Sequence, residues 1–193
     1  MAQEKYIGVK FKTIFSGDFI PTDKEKFLIK DLILAGKVIG GMGIKDKNGG
    51  NFSARSARGV IIKRTGAQPY NLKPQDFVLV EKYRRDKVWA RGRFEPSSEA
   101  RLHLAVYKSR PSINCILHCH DFLVVNCCQK MVGVGYIKEH PYGTLESARA
   151  VGRAAKKFDY AIMENHGVIA FGRNIKATLN LIKKYHEKFK KLA

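Results

Sequence analysis

The sequence predicts a single α/β domain spanning residues 1–193, with strands that run in mixed directions. Three observations point there. Segments with apolar residues at helical spacing alternate with short apolar runs of strand length. The 193 residues are one domain's worth of chain, enough to bury a sizeable core. No internal repeat or low-complexity linker divides them.

The elements follow in order. Gly8, Gly17 and Pro21 break the first 23 residues into short pieces. Thr22 is placed to cap a helix over 24–40, with Glu25 completing a box-like acidic first turn. Phe27, Leu28, Leu32, Ile33 and Val38 give that helix its apolar stripe, and Gly40 and Gly41 stop it. A glycine-rich turn over 43–50 leads into 51–56. Residues 60–63 read as a strand ending in Thr65-Gly66, and 77–81 as another, joined through the polar segment 82–87 to a strand at 88–91. Pro96 introduces Ser97-Ser98-Glu99. A helix over 100–108 follows and Pro111 breaks it. Residues 113–120 form a strand. After a loop at 140–144 and a helix over 145–157, strands at 160–163 and 168–171 flank Glu164-Asn165-His166-Gly167. The last helix, 174–190, places Ile175, Leu179, Ile182 and Phe189 at helical intervals.

Composition removes several function classes. No stretch approaches 18 consecutive apolar residues, so nothing spans a membrane. The N-terminus lacks an apolar signal stretch and cleavage site, which makes a cytoplasmic location the default. Cys115, Cys119, Cys127 and Cys128 lie too close together for a disulfide framework and read as buried small hydrophobes. The net charge is +19, from 36 Lys plus Arg against 17 Asp plus Glu. Such a charge attracts anionic metabolites and polyanions. The basic residues are scattered, however, and the densest run, 183–191, reads as the solvated face of a helix. This argues against a nucleic-acid role.

The chemistry concentrates in a few places. Alternate residues of a strand share a face, so His118 and His120 can grip one metal ion, and zinc takes about four ligands. His166, before Gly167 at a strand end, is a third ligand, with His140 as its rival. His103 and His186 lie on helical stretches and are expected to pack or hydrogen-bond. Ser97-Ser98 before a helix, Asn51 in a flexible segment and Thr65-Gly66 after a strand are small-residue nests suited to a phosphate. Glu99 reads either as a first-turn acidic residue or as a general base near the metal.

At these motifs the chain resembles the class II sugar-phosphate aldolase family, the group of fuculose-1-phosphate aldolase and ribulose-5-phosphate 4-epimerase. G-G-N-F-S at 49–53, R-T-G at 64–66, P-S-S-E at 96–99, I-L-H-C-H at 116–120 and E-N-H-G at 164–167 occur in the family's order. The resemblance covers roughly residues 24 to 190. It implies a central, mostly antiparallel sheet flanked by helices, and a cyclic homotetramer with active sites near subunit boundaries. It implies one zinc, or another divalent ion, per subunit on His118, His120 and His166. Phosphate would lie on Asn51, Thr65, Gly66, Ser97 and Ser98, less surely on Ser53, with Glu99 as acid/base.

The activity implied is reversible formation of a ketose 1-phosphate from dihydroxyacetone phosphate and a small aldehyde such as lactaldehyde, through a zinc-stabilised enediolate. The alternatives are a pentulose-phosphate 4-epimerase and a dehydratase of the methylthioribulose-1-phosphate type. The glutamate of P-S-S-E favours the aldolase. Non-catalytic relatives tend to lose the histidines, and all three are present here. Tyr136 and Tyr142 are the candidates for the tyrosine that a neighbouring subunit donates in the bacterial aldolases.

Overall fold

The computed structural model describes residues 8–44, 46, 49–127 and 132–192. Along the chain run β1 (Lys12–Phe15), α1 (Asp23–Gly41), β2 (Asn51–Ser56), β3 (Gly59–Lys63), β4 (Phe77–Arg84), β5 (Lys87–Arg91) and α2 (Ala100–Ser109). Then come β6 (Cys115–Cys119), α3 (Phe122–Asn126), β7 (Gly135–Ile137), α4 (Leu145–Ala155), β8 (Tyr160–Met163), β9 (Gly167–Gly172) and α5 (Ile175–Lys190).

One sheet collects the strands in the order β1-β5-β4-β3-β2-β6-β9-β8-β7. Both edge pairs, β1 with β5 and β7 with β8, are parallel, and every inner pair is antiparallel. The result is an α/β domain with a mixed, mostly antiparallel sheet between helical layers. Residues of α1, α3 and α5 pack one face around Phe52, Leu79, Leu117 and Val168. Residues of α2 and α4 pack the other around Ile62, Ile116 and Ile169.

Local signals set most boundaries. Thr22 caps α1, and the reciprocal bond from its own N–H to Glu25 (2.9 Å) completes the capping box. The buried Glu25 carboxylate also pairs with Arg58. Thr144 and Asn174 cap α4 and α5 by accepting from Ser147 and Ala177. Helix α5 buries Ile182, Tyr185, His186 and Phe189 and turns Lys183, Lys184, Lys188 and Lys190 outward, so the C-terminal charge run is a solvated face.

Four elements go beyond the sequence pattern: β1, β2, α3 and β7. The central strand β2 is the instructive one. Phe52 and Ala54 face one layer, while Asn51 and Ser53 face the other and are also buried. Buried polar side chains erase the apolar alternation that identifies a strand. Cys115 and Cys119 are buried, as expected for small hydrophobes, and Cys127 is half-buried. Cys128, and Lys45, Lys47 and Asn48 of the glycine-rich turn, lie outside the described residues. Among the described residues no helix is long and apolar enough to cross a membrane.

Candidate active site

Strand β6 lies at the centre of the sheet and alternates strictly. Cys115, Leu117 and Cys119 join the α1/α3/α5 layer, which sends His118 to the α2 side. The register of β2 on β6 sets Asn51 opposite His118. His120 follows the end of β6, where the chain leaves the sheet. His166 sits in the turn between β8 and β9, held by its N–H to Met163 O (3.1 Å) and by Asn165 in the left-handed region (φ 56°). Gly167 is required by close approach: a Cβ there would stand 2.6 Å from Cys119 O and 3.1 Å from the His118 ring.

The ligand nitrogens of His118, His120 and His166 lie within 4.8 Å of one another. His140 is not part of this cluster. His118 Nδ1 donates to Val168 O at 2.9 Å, and His120 Nδ1 donates to Asp46 Oδ2 at 2.6 Å. Each bond ties up Nδ1 and turns Nε2 towards the cluster, the arrangement in which histidine binds a metal. His118 Nε2 and His166 Nε2 are 3.1 Å apart. That is close to the separation of two ligands on one tetrahedral ion, about 3.3 Å for bonds near 2.05 Å. The donor set and its spacing fit a divalent ion of the zinc class.

Glu99 is the N-cap of α2, yet its side chain makes no capping bond. Its carboxylate, buried at 5% exposure, instead turns to the histidines. Oε2 lies 3.3 Å from His118 Nε2, and Oε1 lies 3.5 Å from His166 Nε2. Asn51 Nδ2 donates to Oε2 at 2.7 Å, whereas Oε1 has no hydrogen-bond partner among the described residues. A buried carboxylate oxygen left without a donor beside three imidazoles calls for a cation or a proton.

Electrostatics follow from burial and this clustering. Burial pushes the Glu99 carboxyl up, but His118 and then His166 outweigh it and hold it well below the usual range. Burial works against a charged His118, and Glu99 reverses that and lifts it. For His166 burial wins, and its pKa falls to about 4.

The phosphate candidates divide into two groups. Arg64 bridges to Pro96, Thr65 N–H donates to Glu95 O (3.0 Å), and Ser97 N–H donates to Lys63 O (3.0 Å). The turns carrying Thr65-Gly66 and Ser97-Ser98 therefore run side by side. Ser97 Oγ accepts from Glu99 N at 3.3 Å, which ties that turn to Glu99. Beside Gly66 opens a cavity of about 460 Å³ lined partly by Arg64, Lys73 and Phe94. On β2, the Asn51 amide lies between Glu99 and His103. Ser53 is fully buried against His103 and Tyr107. Tyr136 donates to Glu164 Oε1 (2.6 Å), and Tyr142 donates to Gly8 O (3.3 Å).

Two residues, Asp46 and Lys63, escaped the sequence reading, and a third, His103, hydrogen-bonds as expected but in a place the sequence did not specify. Asp46 carries no motif and reaches His120 only through folding. Lys63, buried at the end of β3, donates to Ala67 O (2.7 Å) and Arg64 O (3.3 Å) and so braces the Thr65-Gly66 turn from behind. Burial drops its pKa to about 8. His103 had a signal: Glu99, His103 and Tyr107 recur every four residues and so share one face of α2.

Residues 30–191 match the family described as Class II Aldolase and Adducin N-terminal domain. The 5-methylthioribulose-1-phosphate/5-deoxyribulose-1-phosphate aldolase of Rhodospirillum rubrum is 30% identical over 165 residues, covering 78% of this chain and 73% of that protein. The L-fuculose phosphate aldolase of Escherichia coli K12 is 28% identical, covering 72% and 69%. Among solved structures, L-fuculose-1-phosphate aldolase from Thermus thermophilus superimposes with a TM-score of 0.72 at 20% identity, covering 86% of this chain and 92% of that one. A sugar-phosphate aldolase from Thermotoga maritima gives 0.72 at 15% identity, covering 86% and 95%. At those identities the structures speak to the fold. The match over 30–191, on a chain whose histidine triad can hold a divalent metal, carries the assignment: this protein belongs to the class II aldolase and adducin N-terminal domain family.

Proposed function

We propose that this protein is a metal-dependent aldolase that reversibly joins dihydroxyacetone phosphate to a small aldehyde, giving a ketose 1-phosphate. The observation that carries the reading is the Glu99 carboxylate, buried within 3.3 Å of His118 Nε2 and 3.5 Å of His166 Nε2. In this reading His118, His120 and His166 hold one zinc, or a related divalent ion, and the ion supplies Lewis-acid polarisation of the substrate carbonyl.

The chain's own residues do the rest. Thr65, Gly66, Ser97 and Ser98 hold the phosphate with short side chains and backbone amides, and the net positive charge steers the dianion inward. Glu99, kept ionised by its neighbours, removes a proton from the hydroxymethyl carbon. The resulting enediolate attacks the aldehyde carbon, and the new alkoxide takes up a proton in place of the one removed, with Glu99 giving up its proton to return to the ionised form. Cleavage retraces these steps.

The relatives' names widen the choice of aldehyde. A 5-deoxyribulose 1-phosphate would cleave to acetaldehyde, and the methylthio substrate to a methylthioacetaldehyde, each with dihydroxyacetone phosphate. The deciding experiment has two parts. Deuterium exchange into dihydroxyacetone phosphate without an aldehyde tests proton abstraction. Product analysis with acetaldehyde, methylthioacetaldehyde, lactaldehyde, glycolaldehyde and glyceraldehyde phosphate identifies the partner. No exchange by metal-loaded protein would overturn the reading. Interconversion of pentulose phosphates without release of fragments would make it an epimerase, and loss of water from a ketose phosphate a dehydratase. Homotetrameric assembly belongs to the same proposal, and light scattering would test it.

A further inference from the structure

Four buried side chains behind Glu99 join it in an unbroken line of five that leads away from the histidine triad. Tyr107 Oη and Ser53 Oγ are 2.8 Å apart, and Ser53 Oγ and His103 Nδ1 are 2.6 Å apart. His103 Nε2 meets Asn51 Oδ1, and Asn51 Nδ2 meets Glu99 Oε2 at 2.7 Å. All five residues are buried, Ser53 and His103 completely, so water does not compete for these bonds.

Chemistry gives the line one direction. An ionised carboxylate only accepts, so Asn51 must face Glu99 with its NH2. Its carbonyl then faces His103, which must answer with Nε2–H. That leaves His103 Nδ1 bare, so Ser53 donates to it. With the Ser53 proton committed, Tyr107 donates to Ser53. Each donor has one acceptor, and an error at any link reverses every bond above it. Burial protects the direction, since it drops the His103 pKa to about 3 and pushes the Tyr107 phenol well above its usual range. A charged imidazole would still donate to Asn51 but would also donate from Nδ1 to Ser53, turning the Ser53–Tyr107 end of the line around.

We propose that His103 is a positioning residue for the base, acting through the amide of Asn51 to fix which oxygen of Glu99 faces the reaction. With Oε2 tied to Asn51, Oε1 is the oxygen left to take the substrate proton. The inference rests on the reading of Glu99 as the base. It adds a role for three residues, His103, Ser53 and Tyr107, that lie behind Asn51 and away from the histidine triad. Without His103 the Asn51 carbonyl loses its donor. The amide can then rotate its oxygen towards the carboxylate, where two acceptors repel and Glu99 is set adrift.

Two measurements test this independently. In wild-type protein labelled with ¹⁵N-histidine, long-range ¹H–¹⁵N spectra should show His103 as the neutral Nε2–H tautomer from pH 5 to 8. A neutral Nδ1–H tautomer in that range would overturn the proposal, since it leaves Nε2 without a proton to give Asn51, and this readout needs neither substrate nor variant. The second measurement is deuterium exchange into dihydroxyacetone phosphate. His103→Leu should lower kcat for exchange by about 10²-fold, the scale of a misplaced catalytic group. KM and bound metal should stay within about two-fold. His103→Gln, whose amide can still donate to Asn51, should recover at least about ten-fold of that loss. A merely structural histidine would lower Tm and leave kcat alone, and wild-type kcat in a folded His103→Leu would refute the proposal. If His103→Leu does not fold, the tautomer and His103→Gln decide. Absence of exchange in the wild type would instead defeat the aldolase reading, with the tautomer still reporting on the line.

Discussion

His120 Nδ1 and Asp46 Oδ2 lie 2.6 Å apart, and this bond leaves the other nitrogen of His120 free to face His118 and His166. A carboxylate behind a ligating histidine orients the ring and raises its basicity. Asp46→Ala should therefore weaken metal binding by about 10–100-fold while sparing the fold. Titration of metal-free protein against a chelator of known affinity checks this, and unchanged affinity would remove Asp46 from the site.

Glu99 approaches the histidines without being needed to cap α2. Glu99→Gln keeps the volume and removes the base. Proton exchange into dihydroxyacetone phosphate should fall by about 10²–10⁴-fold, with metal content unchanged by elemental analysis. Lost metal would mark Glu99 as a ligand instead, and undiminished exchange would end its role as the base.

His103 makes the protein sensitive to acid. Unfolded, an imidazole takes a proton near pH 6.5, whereas in the fold it does so only at about 3. Below pH 6.5 the unfolded state binds the extra proton, so stability falls as pH drops, until both states are protonated below about 3. At pH 5 the loss from this group is about 2 kcal/mol. Urea unfolding at pH 7 and pH 5 should show a smaller drop for His103→Gln than for wild type by roughly that amount. Equal drops would mean that His103 titrates alike in both states.

Lys63 acts at the other end of the scale. Its folded pKa of about 8 lies below the ordinary 10.5, so the folded state gives up this proton first. Wild-type stability from this group is lowest below pH 8 and recovers as pH rises towards 10.5, by up to about 3 kcal/mol. Lys63→Met has no such recovery. The stability difference between wild type and variant should therefore shift in favour of wild type between pH 7.5 and pH 10. A constant difference would show that the ammonium suffers no penalty in its pocket.

Gly167 has room for hydrogen alone. The Cβ of Gly167→Ala, 2.6 Å from the Cys119 carbonyl, would push β9 off β6 and carry His166 with it. Overpacking of this kind costs about 1–3 kcal/mol, and metal affinity should fall together with stability. A variant with wild-type urea midpoint and metal titration would show that the turn relaxes freely.

Much of this was legible in the sequence because it is local. Two histidines two apart on β6, a histidine before a glycine, and a glutamate after two serines announce themselves by spacing. The capping box of Thr22 and Glu25 and the helical period of α5 do the same. What stayed hidden depends on pairing across the sheet. Asn51 reads as a loop residue until β2 pairs with β6 and sets it opposite His118. Asp46 lies 74 residues from His120, and no local pattern links them. The edge strands β1 and β7 are four and three residues long, too short for alternation to register. Lys63 ends an apolar run and so looks like a strand's solvated tail, whereas the fold buries it.

The alternation of β6 has one more consequence. Cys119 stands between His118 and His120 in sequence, but its side chain lies in the opposite layer with that of Cys115. Burial pushes the Cys115 thiol to about 12 and the Cys119 thiol well above its usual range. The thiols of Cys115 and Cys119 are thus neutral and in the layer opposite His118. Among the described residues, the cluster that could hold an ion offers imidazole, with the Glu99 carboxylate beside it. Cadmium, mercury and cuprous ions, which draw their affinity from thiolate, find no such ligand in that cluster among the described residues. The pleat of a single strand makes the site a poor trap for thiophilic metals.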